Sequence, residues 1–201
     1  MLKVGLTGNL GSGKSLITKI FRILDVPVYH ADNVSKSFLS DKVVQESILT
    51  AFGPQVFLSA NEIDRRALGI IVFNDSQKLT TLNAILHPLV REDFRAWCAS
   101  QEENPYVIQE AAIILESGFR DEYDRIIHVS CPEEIAIARA MTRDNASRDD
   151  ILKRMGFQWK DEKKAAMSDH IILNDGSELV IPQVLAIHNL LVNSSLEIKN
   201  C

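Results

Sequence analysis

The chain has 201 residues, of which 46% are hydrophobic and 24% are charged, and its net charge is −5. This length and composition are typical of a globular protein with one sizeable core. The negative net charge excludes a broad basic surface that would attract nucleic acid or an anionic membrane, so we expect neither as a partner. No run of the sequence approaches the roughly 20 apolar residues that are needed to cross a bilayer.

The three cysteines, Cys98, Cys131 and Cys201, are widely separated, odd in number and without a C-x-x-C spacing. This pattern favours reduced thiols over disulfides and indicates a cytoplasmic protein. The N-terminal residues lead directly into a glycine-rich loop, so we expect no secretory signal peptide. We also expect a monomer or a weak homo-oligomer.

Short apolar runs alternate with longer amphipathic stretches, which predicts βα units around a mostly parallel sheet. The predicted strands are residues 2–7, 27–29, 106–110, 125–129 and 170–173. The predicted helices are residues 14–24, 43–52, 77–86, 89–100, 133–143, 149–167 and 181–191. Short strands rich in Val, Ile and Leu are typical of a sheet covered on both faces. The expected fold class is therefore α/β, with a parallel five-stranded sheet flanked by helices.

The pattern G-x-x-x-x-G-K-[ST] lies between the first predicted strand and the first predicted helix, at residues 8–15, which we call the phosphate loop. Its glycines let successive N–H groups turn inward around an anion, and the following helix directs its positive end at the same point. Lys14 can reach the β- and γ-phosphates of ATP, and the Ser15 hydroxyl can ligate Mg²⁺. The residues predicted to bind ATP here are Gly8, Asn9, Leu10, Gly11, Ser12, Gly13, Lys14 and Ser15. The pattern predicts a P-loop NTPase-like fold that binds ATP with Mg²⁺.

The segment His30-Ala31-Asp32 follows the second predicted strand. A carboxylate at the carboxyl edge of an α/β sheet lies where such proteins bind ligands. A kinase needs a carboxylate to orient the acceptor hydroxyl and accept its proton, so Asp32 is a candidate catalytic residue. The same position suits an ordinary N-cap for the next helix equally well.

About 75 residues with helical periodicity and no strong strand separate the second and third predicted strands, which is more than one crossover helix needs. We therefore expect a helical substrate-binding insertion at about residues 36–103. It would belong to a single P-loop kinase domain whose core comprises residues 1–35 and 104–201. No repeat, linker or low-complexity tract suggests a second independent fold.

A basic cluster lies late in the chain, and turn residues interrupt it between two predicted helices. Arg139 and Arg143 are four residues apart, on one face of a helix. Beside a phosphate loop this favours a mobile lid at about residues 139–158, whose arginines close over ATP, exclude water and offset charge on the transferring phosphoryl group. The alternative is an exposed helical face whose arginines pair with neighbouring aspartates. The cluster consists of Arg139, Arg143, Arg148, Lys153 and Arg154.

Missing motifs narrow the class of nucleotide-binding protein. The chain has no Asn-Lys-x-Asp guanine motif and no D-x-x-G switch, which excludes a GTPase, and the signature of ABC-type ATPases is also absent. The length is small for a motor or an AAA ATPase. A compact P-loop domain with a helical insertion and a late arginine cluster indicates a kinase that acts on a small molecule.

With these features placed, the chain resembles the dephospho-coenzyme A kinase family over nearly its whole length. No later motif is decisive alone, but their order and spacing together are highly specific. The segments are residues 6–15 (LTGNLGSGKS), 26–32 (VPVYHAD), 64–68 (DRRAL), 86–90 (LHPLV), 110–116 (EAAIILE), Arg139 to Asp144, Arg154 to Gln158, and 168–176 (SDHIILNDG). The resemblance implies ATP-dependent phosphorylation of the ribose 3′-hydroxyl of dephospho-CoA, the last step of coenzyme A synthesis.

The resemblance also implies roles in catalysis and ATP binding. Asp32 matches the family's catalytic carboxylate, and Arg139 matches its lid arginine, with Arg143 beside it. Asn174 and Gly176 match a segment near the adenine pocket of ATP. The predicted catalytic residues are therefore Asp32, Lys14 and Arg139.

For the acceptor, the resemblance implies contacts with the Arg-Arg pair Arg65 and Arg66, the His-Pro motif His87 and Pro88, and Thr7, as well as Asp32. Two alternatives stay open. Arg65 and Arg66 can be a surface pair at a helix start. His87 can mark a helix boundary at a turn made by Pro88.

Two positions depart from the family's pattern. Many members have Asp-Ala-Asp where this chain has His30-Ala31-Asp32, so one carboxylate is lost, although the predicted catalytic Asp32 remains. Glu110 stands where members often have Asp or Pro, and a structural role for it is as plausible as assistance to Mg²⁺ through water.

Two other functions remain open. A kinase for a nucleoside monophosphate, shikimate or gluconate would share the loop and the lid, but would not require the DRRAL, LHPLV and SDHIILNDG segments together. A nucleotide-dependent switch or binding module is the second alternative. The missing switch motif, the Asp32 carboxylate and the lid arginines argue against it.

Overall fold

The computed structural model describes residues 1–199, with side chains to residue 197, and it divides into two compact units. The first unit comprises Met1–His30 and the chain from Cys98 onward, and the second comprises Ala31–Trp97. The strands are β1 (Leu2–Thr7), β2 (Val28–His30), β3 (Phe57–Ser59), β4 (Glu62–Ile63), β5 (Tyr106–Glu110), β6 (Arg125–Ser130) and β7 (His170–Leu173). The helices are α1 (Lys14–Ile23), α2 (Ala31–Phe38), α3 (Lys42–Phe52), α4 (Arg65–Val72), α5 (Ser76–Ala99), α6 (Glu133–Asp144), α7 (Arg148–Met155), α8 (Asp161–Ala166) and α9 (Val180–Lys199).

Five parallel strands form the sheet of the first unit in the order β2-β5-β1-β6-β7. The central strand β1 is buried between its neighbours, and Val4 and Leu6 have no exposed surface. The predicted α/β class with a parallel five-stranded sheet is confirmed, and every predicted strand lies within one residue of an observed one. Because parallel strands end at the same edge, the segments after β1, β5, β6 and β7 meet there.

Helices α1 and α9 share one apolar core with the sheet. Ile17 and Phe21 of α1 and Val184 and Leu191 of α9 are buried in the same cluster as the residues of β1. Their spacings, four residues in α1 and seven in α9, are those of one helical face. This packing fixes the axis of α1, and with it the direction in which the helix start points.

The second unit is mainly helical and has its own core. Val44, Ile48 and Phe52 of α3 pack with Leu68 and Val72 of α4. The unit runs from Ala31 to Trp97, against about 36 and 103 predicted for the insertion. Helices α2 and α4 and the antiparallel pair β3–β4 were not predicted, because each is too short to give a clear periodic signal.

The region predicted as two helices, 77–86 and 89–100, is the single helix α5, so that prediction was wrong. We expected Pro88 to end the first helix, because proline lacks an N–H and crowds the preceding turn. The helix continues because apolar residues on both sides of the proline, such as Leu86 and Leu89, belong to one core. Packing therefore outweighs the local cost of an interior proline, about 3 kcal/mol.

The predicted helix 149–167 is also wrong, since it is two helices, α7 and α8, separated by residues 156–160. Two contacts with distant parts of the chain stabilise the break. The side chain of Gln158 accepts a hydrogen bond from Leu10 N–H, and Trp159 N–H donates to the Glu116 carboxylate. The helical periodicity of the sequence contains no sign of either contact.

Within residues 1–199, no helix is both long and apolar enough to cross a membrane. Cys98 and Cys131 are buried free thiols, as predicted. Cys201 lies outside the described residues.

Helix α8 is held to the rest of the first unit by buried polar contacts. Lys164 is completely buried, and its Nζ lies 2.7 Å from Glu116 Oε1 and donates to Ala112 O at 2.7 Å. At the start of α8, Asp161 Oδ1 lies 2.9 Å from His128 Nε2. Burial lowers the pKa of Lys164, whereas the Glu116 carboxylate opposes that lowering. Helix α8 is thus fixed in place just beyond residues 156–160.

Replacing Lys164 with Met should lower the free energy of unfolding by about 3–5 kcal/mol, because the buried Glu116 carboxylate loses its cation. Lys163→Met is the matched control, since Lys163 is exposed and lies 3.3 Å over the Trp159 ring. It should cost no more than about 1 kcal/mol. The double variant Lys164→Met with Glu116→Gln should recover part of the loss. Urea denaturation measures all three, and equal effects of the two single variants would contradict the role of the buried pair.

Candidate active site

The phosphate loop joins β1 to α1 at the carboxyl edge of the sheet. Helix α1 begins at Lys14, with no capping side chain at Gly13 and no acidic residue in its first turn. By contrast, the side chains of Asp41, Asp64 and Ser147 cap α3, α4 and α7. No side chain thus closes the start of α1, and the helix dipole favours an anion there.

Two glycines give the phosphate loop its shape. Gly11 has φ 81° and Gly13 has φ 97°, both in the left-handed region. A Cβ on Gly11 would lie 2.0 Å from Ala136 O in α6, and a Cβ on Gly13 would lie 2.1 Å from Asn174 Nδ2. The loop thus passes directly against neighbouring atoms in a backbone conformation that side chains disfavour.

Asn174, directly after β7, contacts the phosphate loop itself. Its side chain is buried, and its Nδ2 donates to Ser12 O at 2.8 Å. Its backbone oxygen accepts a hydrogen bond from Arg139 Nη1 at 2.9 Å, and the same Nη1 lies 3.5 Å from Cys131 Sγ. Arg139 and Asn174 are therefore joined in one chain of contacts that ends on the loop. The predicted contact of Asn174 with adenine stays a prediction.

Lys14 and Ser15 lie in the first turn of α1, directly after the glycines of the phosphate loop. Lys14 Nζ donates to Gly8 O at 2.9 Å and to Asn9 O at 3.4 Å, so the ammonium group lies against the loop. Ser15 is exposed in the first turn of α1. Mg²⁺ in phosphate sites takes one or two protein oxygens and otherwise water and phosphate oxygens, so this hydroxyl and the glycine-lined loop fit an ATP–Mg²⁺ complex.

His30 lies beside Glu110 at the carboxyl ends of the neighbouring strands β2 and β5. His30 Nδ1 and Glu110 Oε2 are 2.9 Å apart, and Glu110 is buried. Asp32 is the second residue of α2, at the start of the second unit, and its side chain is exposed. The alternative in which Asp32 is the N-cap is wrong, because a cap precedes the first helical residue.

The basic cluster has carboxylate partners. Asp144 Oδ1 lies 2.7 Å from Arg143 Nε, and Asp144 Oδ2 lies 2.6 Å from Arg154 Nη1. The hydrogen bond from Arg143 lowers the pKa of Asp144 to about 2; burial opposes this lowering and Arg154 adds to it. Arg148 pairs with Glu134 at 2.7 Å. These pairs match the exposed-face alternative, and closure of the lid over ATP stays a prediction that requires the arginines to exchange partners.

Thr7 and Gly176 differ in solvent exposure: Thr7 is buried and Gly176 is exposed. Thr7 is completely buried, and its hydroxyl donates to Ala112 O at 3.3 Å. Gly176 is exposed in the turn after β7, with φ 92°. The predicted roles of Thr7 toward the acceptor and of Gly176 toward ATP both stay predictions.

The second unit contains a surface pocket of about 420 Å³ that both predicted arginines line. Asp64 caps α4 by accepting from Arg66 N–H at 2.9 Å, which places Arg65 and Arg66 in the first turn with exposed side chains. Leu58 and Gln45 also line the pocket. Glu62 and Asp64 line it as well, so the pocket contains residues of both charges beside an apolar side chain.

His87 and Pro88 lie inside helix α5, so the alternative in which His87 marks a helix boundary is wrong. Burial lowers the pKa of His87, and the positive charge of Arg91 lowers it further. The imidazole is therefore held neutral near pH 7, as a hydrogen-bonding group and not as a cation. Contact of this pair with the acceptor stays a prediction.

Two further residues contact the phosphate loop or the basic cluster: Gln158 had no role predicted from the sequence, and Asp144 was expected only as a partner of the arginines in the exposed-face alternative. Gln158 Oε1 accepts from Leu10 N–H at 2.9 Å, although the two residues are 148 positions apart. Asp144 holds two arginines of the basic cluster. The sequence signal for Asp144 was its place among the arginines, and for Gln158 only its place at the end of the segment from Arg154 to Gln158.

Comparison with known proteins gives a consistent family. A family model described as dephospho-CoA kinase matches residues 2–179. The dephospho-CoA kinase of Bacteroides fragilis is 38% identical over 185 residues, which cover 92% of this chain and 90% of that protein. The dephospho-CoA kinase of Porphyromonas gingivalis is 37% identical over 191 residues, covering 93% of each chain.

Solved structures agree on the fold. A Thermus thermophilus crystal structure has a TM-score of 0.81 at 29% identity, covering 94% of this chain and 96% of that one. The dephospho-CoA kinase from Campylobacter jejuni has a TM-score of 0.68 at 23% identity, covering 96% and 98%. A shikimate kinase from Bacteroides thetaiotaomicron has a TM-score of 0.52 at 15% identity, covering 94% and 98%. The last two similarities show the fold alone.

Gly11→Ala should weaken ATP binding at least about tenfold, which is 1.4 kcal/mol, because the new Cβ would overlap Ala136 O of the α6 backbone. Gly118→Ala is the matched control. Gly118 also has a positive φ, 74°, but no atom lies within 4 Å of the position that a Cβ would take. The alanine variant at this position therefore adds only backbone strain, about 1–2 kcal/mol. Calorimetric titration with ATP measures both variants after their unfolding midpoints are checked. Equal ATP affinities would contradict the close packing of the loop on α6.

Proposed function

Because the chain belongs to the dephospho-CoA kinase family, which catalyses the final step of coenzyme A biosynthesis, we propose that it transfers the γ-phosphoryl group of ATP to the ribose 3′-hydroxyl of dephospho-CoA. The products are coenzyme A and ADP. The strongest structural support is the uncapped start of α1 behind Gly11 and Gly13. This arrangement directs N–H groups at a phosphate, as a P-loop transferase requires.

ATP binds on the phosphate loop in this proposal. The N–H groups of the loop and of the first turn of α1 hold the phosphates. Lys14 exchanges its contacts with Gly8 O and Asn9 O for the β- and γ-phosphate oxygens. The Ser15 hydroxyl would hold Mg²⁺, and the ion would supply positive charge that offsets the charge developing on the phosphates.

Asp32 orients the 3′-hydroxyl for in-line attack and accepts its proton. Two features support this role: Asp32 lies two residues after the end of β2, and its side chain is exposed. The family's catalytic carboxylate matches this position. Since phosphoryl transfer needs little covalent chemistry from the protein, alignment of the hydroxyl and stabilisation of charge provide most of the acceleration.

Arg139 and Arg143 act on the γ-phosphate from the lid. Each must exchange its present partner, the Asn174 carbonyl for Arg139 and the Asp144 carboxylate for Arg143, for phosphate oxygens. A phosphate carries more negative charge than either partner, so the exchange is favourable once ATP is bound. Asp144 keeps Arg143 and Arg154 oriented and charge-balanced before that step.

Dephospho-CoA binds through Arg65 and Arg66 in the second unit, with His87 and Pro88 as further contacts, and Thr7 completes the acceptor residues carried over from the family. The pocket of about 420 Å³ beside the two arginines supports this assignment. The acceptor contains both a diphosphate, which guanidinium groups bind well, and a long, weakly polar arm. Asn174 and Gly176 remain the proposed neighbours of adenine.

The protein functions in the cytoplasm as a monomer or a weak homo-oligomer in this proposal. The buried free thiols Cys98 and Cys131 are compatible with a reducing compartment. Sedimentation velocity over a range of protein concentrations tests the assembly state.

ADP release with a panel of acceptors tests the assigned substrate. With ATP and Mg²⁺, ADP should form with dephospho-CoA and not with shikimate, gluconate or a nucleoside monophosphate. ADP formation driven by one of those acceptors would replace the proposed substrate. ATP binding without ADP release for any acceptor would support a binding module instead.

Asp32→Asn should reduce turnover with dephospho-CoA by roughly 10²–10⁴-fold, the range for loss of a general base, while ATP affinity stays nearly unchanged. Asp25→Asn is the matched control, because Asp25 is exposed in the turn before β2, at the opposite end of that strand. Its φ of 58° is one that Asn tolerates. Steady-state kinetics and ATP titration measure both variants. Turnover of Asp32→Asn close to that of the control would falsify the catalytic role.

A further inference from the structure

The third residue of the phosphate loop, Leu10, is attached to the lid by two independent contacts. Its N–H donates to Gln158 Oε1 at 2.9 Å. Its side chain packs on the buried apolar cluster of Ile137, Ala140 and Ile151, which joins α6 to α7. Both backbone and side chain of one loop residue are therefore engaged by the segment predicted to close over ATP.

Gln158 is itself held from both sides. Its own N–H donates to Met155 O at 2.8 Å, which continues the end of α7. The next residue, Trp159, donates its N–H to Glu116 Oε1 at 2.9 Å, and the same oxygen lies 2.7 Å from the buried Lys164 ammonium. The Gln158 amide is thus a fixed acceptor, placed by α7 on one side and by the anchor of α8 on the other.

The loop tip is also held on its other side. Ser12 N–H donates to Asn9 O at 3.0 Å, and Ser12 O accepts from Asn174 Nδ2 at 2.8 Å. Every one of these contacts lies within the first unit. The loop is therefore supported from both sides, and among these contacts the Gln158 hydrogen bond is the polar one that comes from the lid.

We propose that Gln158 is a positioning residue that sets the tip of the phosphate loop and couples nucleotide binding there to the lid. This rests on the proposed binding of ATP to the loop. A shift of Leu10 on ATP binding is transmitted through Gln158 to the end of α7. Thermodynamic linkage makes the coupling reciprocal: if ATP binding stabilises one position of α7, then holding α7 in that position raises the affinity for ATP.

Gln158→Met removes the acceptor but keeps the length of the side chain. Losing one such hydrogen bond should raise KM for ATP about three- to tenfold. KM for dephospho-CoA should stay within about twofold and kcat within about threefold, because Gln158 acts on the loop and not on the reacting atoms. Gln101→Met is the matched control, since Gln101 contacts Ser100 and Asn104 before β5, at the opposite edge of the sheet.

Trp159 provides a direct readout of the coupling. The chain has two tryptophans, so Trp97→Phe leaves Trp159, beside Gln158 and under the Lys163 ammonium, as the single tryptophan. Saturating ATP should change the Trp159 emission in this background. Adding Gln158→Met should reduce that change by at least about half, because a displacement of the loop is then no longer transmitted to the lid.

The kinetic and fluorescence results separate the possible outcomes. If Gln158→Met matches Gln101→Met in KM for ATP and in the Trp159 response, the proposal is wrong. A rise in both KM values with a lower unfolding midpoint would also overturn it, because the contact would then be structural only. If the parent protein binds ATP and Gln158→Met has the same KM for ATP and the same Trp159 response, only this inference is overturned. Absence of ATP binding by the parent protein overturns the proposed function, and this inference with it.

Discussion

The phosphate loop must direct its backbone N–H groups at a highly charged phosphate, and this requirement constrains the whole first unit. The start of α1 has no capping side chain, and the preceding Gly13 adopts a left-handed conformation that leaves the helix end open. The sheet order puts β1 beside β6, so the chain leaving β6 brings α6 within contact of Gly11. The chain leaving β7 brings Asn174 to the other side of the loop. The central position of β1 is therefore what allows one short loop to be supported from both sides.

The polar contacts around that loop differ in burial, and this difference divides the first unit into fixed and exchangeable parts. Lys164 and Glu116 form a buried pair that fixes the base of the segment after α7. The pairs that Asp144 makes with Arg143 and Arg154 are more exposed, so water and salt weaken them and a phosphate can replace them. A fixed base with exchangeable arginines beyond it is what a closing lid needs. Gln158 lies at the junction of the two parts, as the proposed coupling requires.

Sequence patterns predicted the sheet and the phosphate loop well, because both depend on local information. Buried strands such as β5 and β6 are apolar runs, and the loop is a short motif with a strict glycine requirement. Helix α5 was mispredicted because packing on both sides of Pro88 decides its continuity, and packing is not visible locally. The contact between Leu10 and Gln158 joins distant parts of the chain and has no local signal. The predicted roles of the acceptor residues came from the family resemblance, because composition and spacing alone do not indicate which residues bind the acceptor.

The central claim is that the chain phosphorylates one hydroxyl of one acceptor. The most direct measurement is the mass and the ³¹P NMR spectrum of the product formed from ATP, Mg²⁺ and dephospho-CoA. We expect an acceptor heavier by one phosphoryl group, with a new phosphomonoester signal coupled to the ribose 3′-proton and one ADP formed for each product. ADP formation without a phosphorylated acceptor, or a monoester at another hydroxyl, would contradict it.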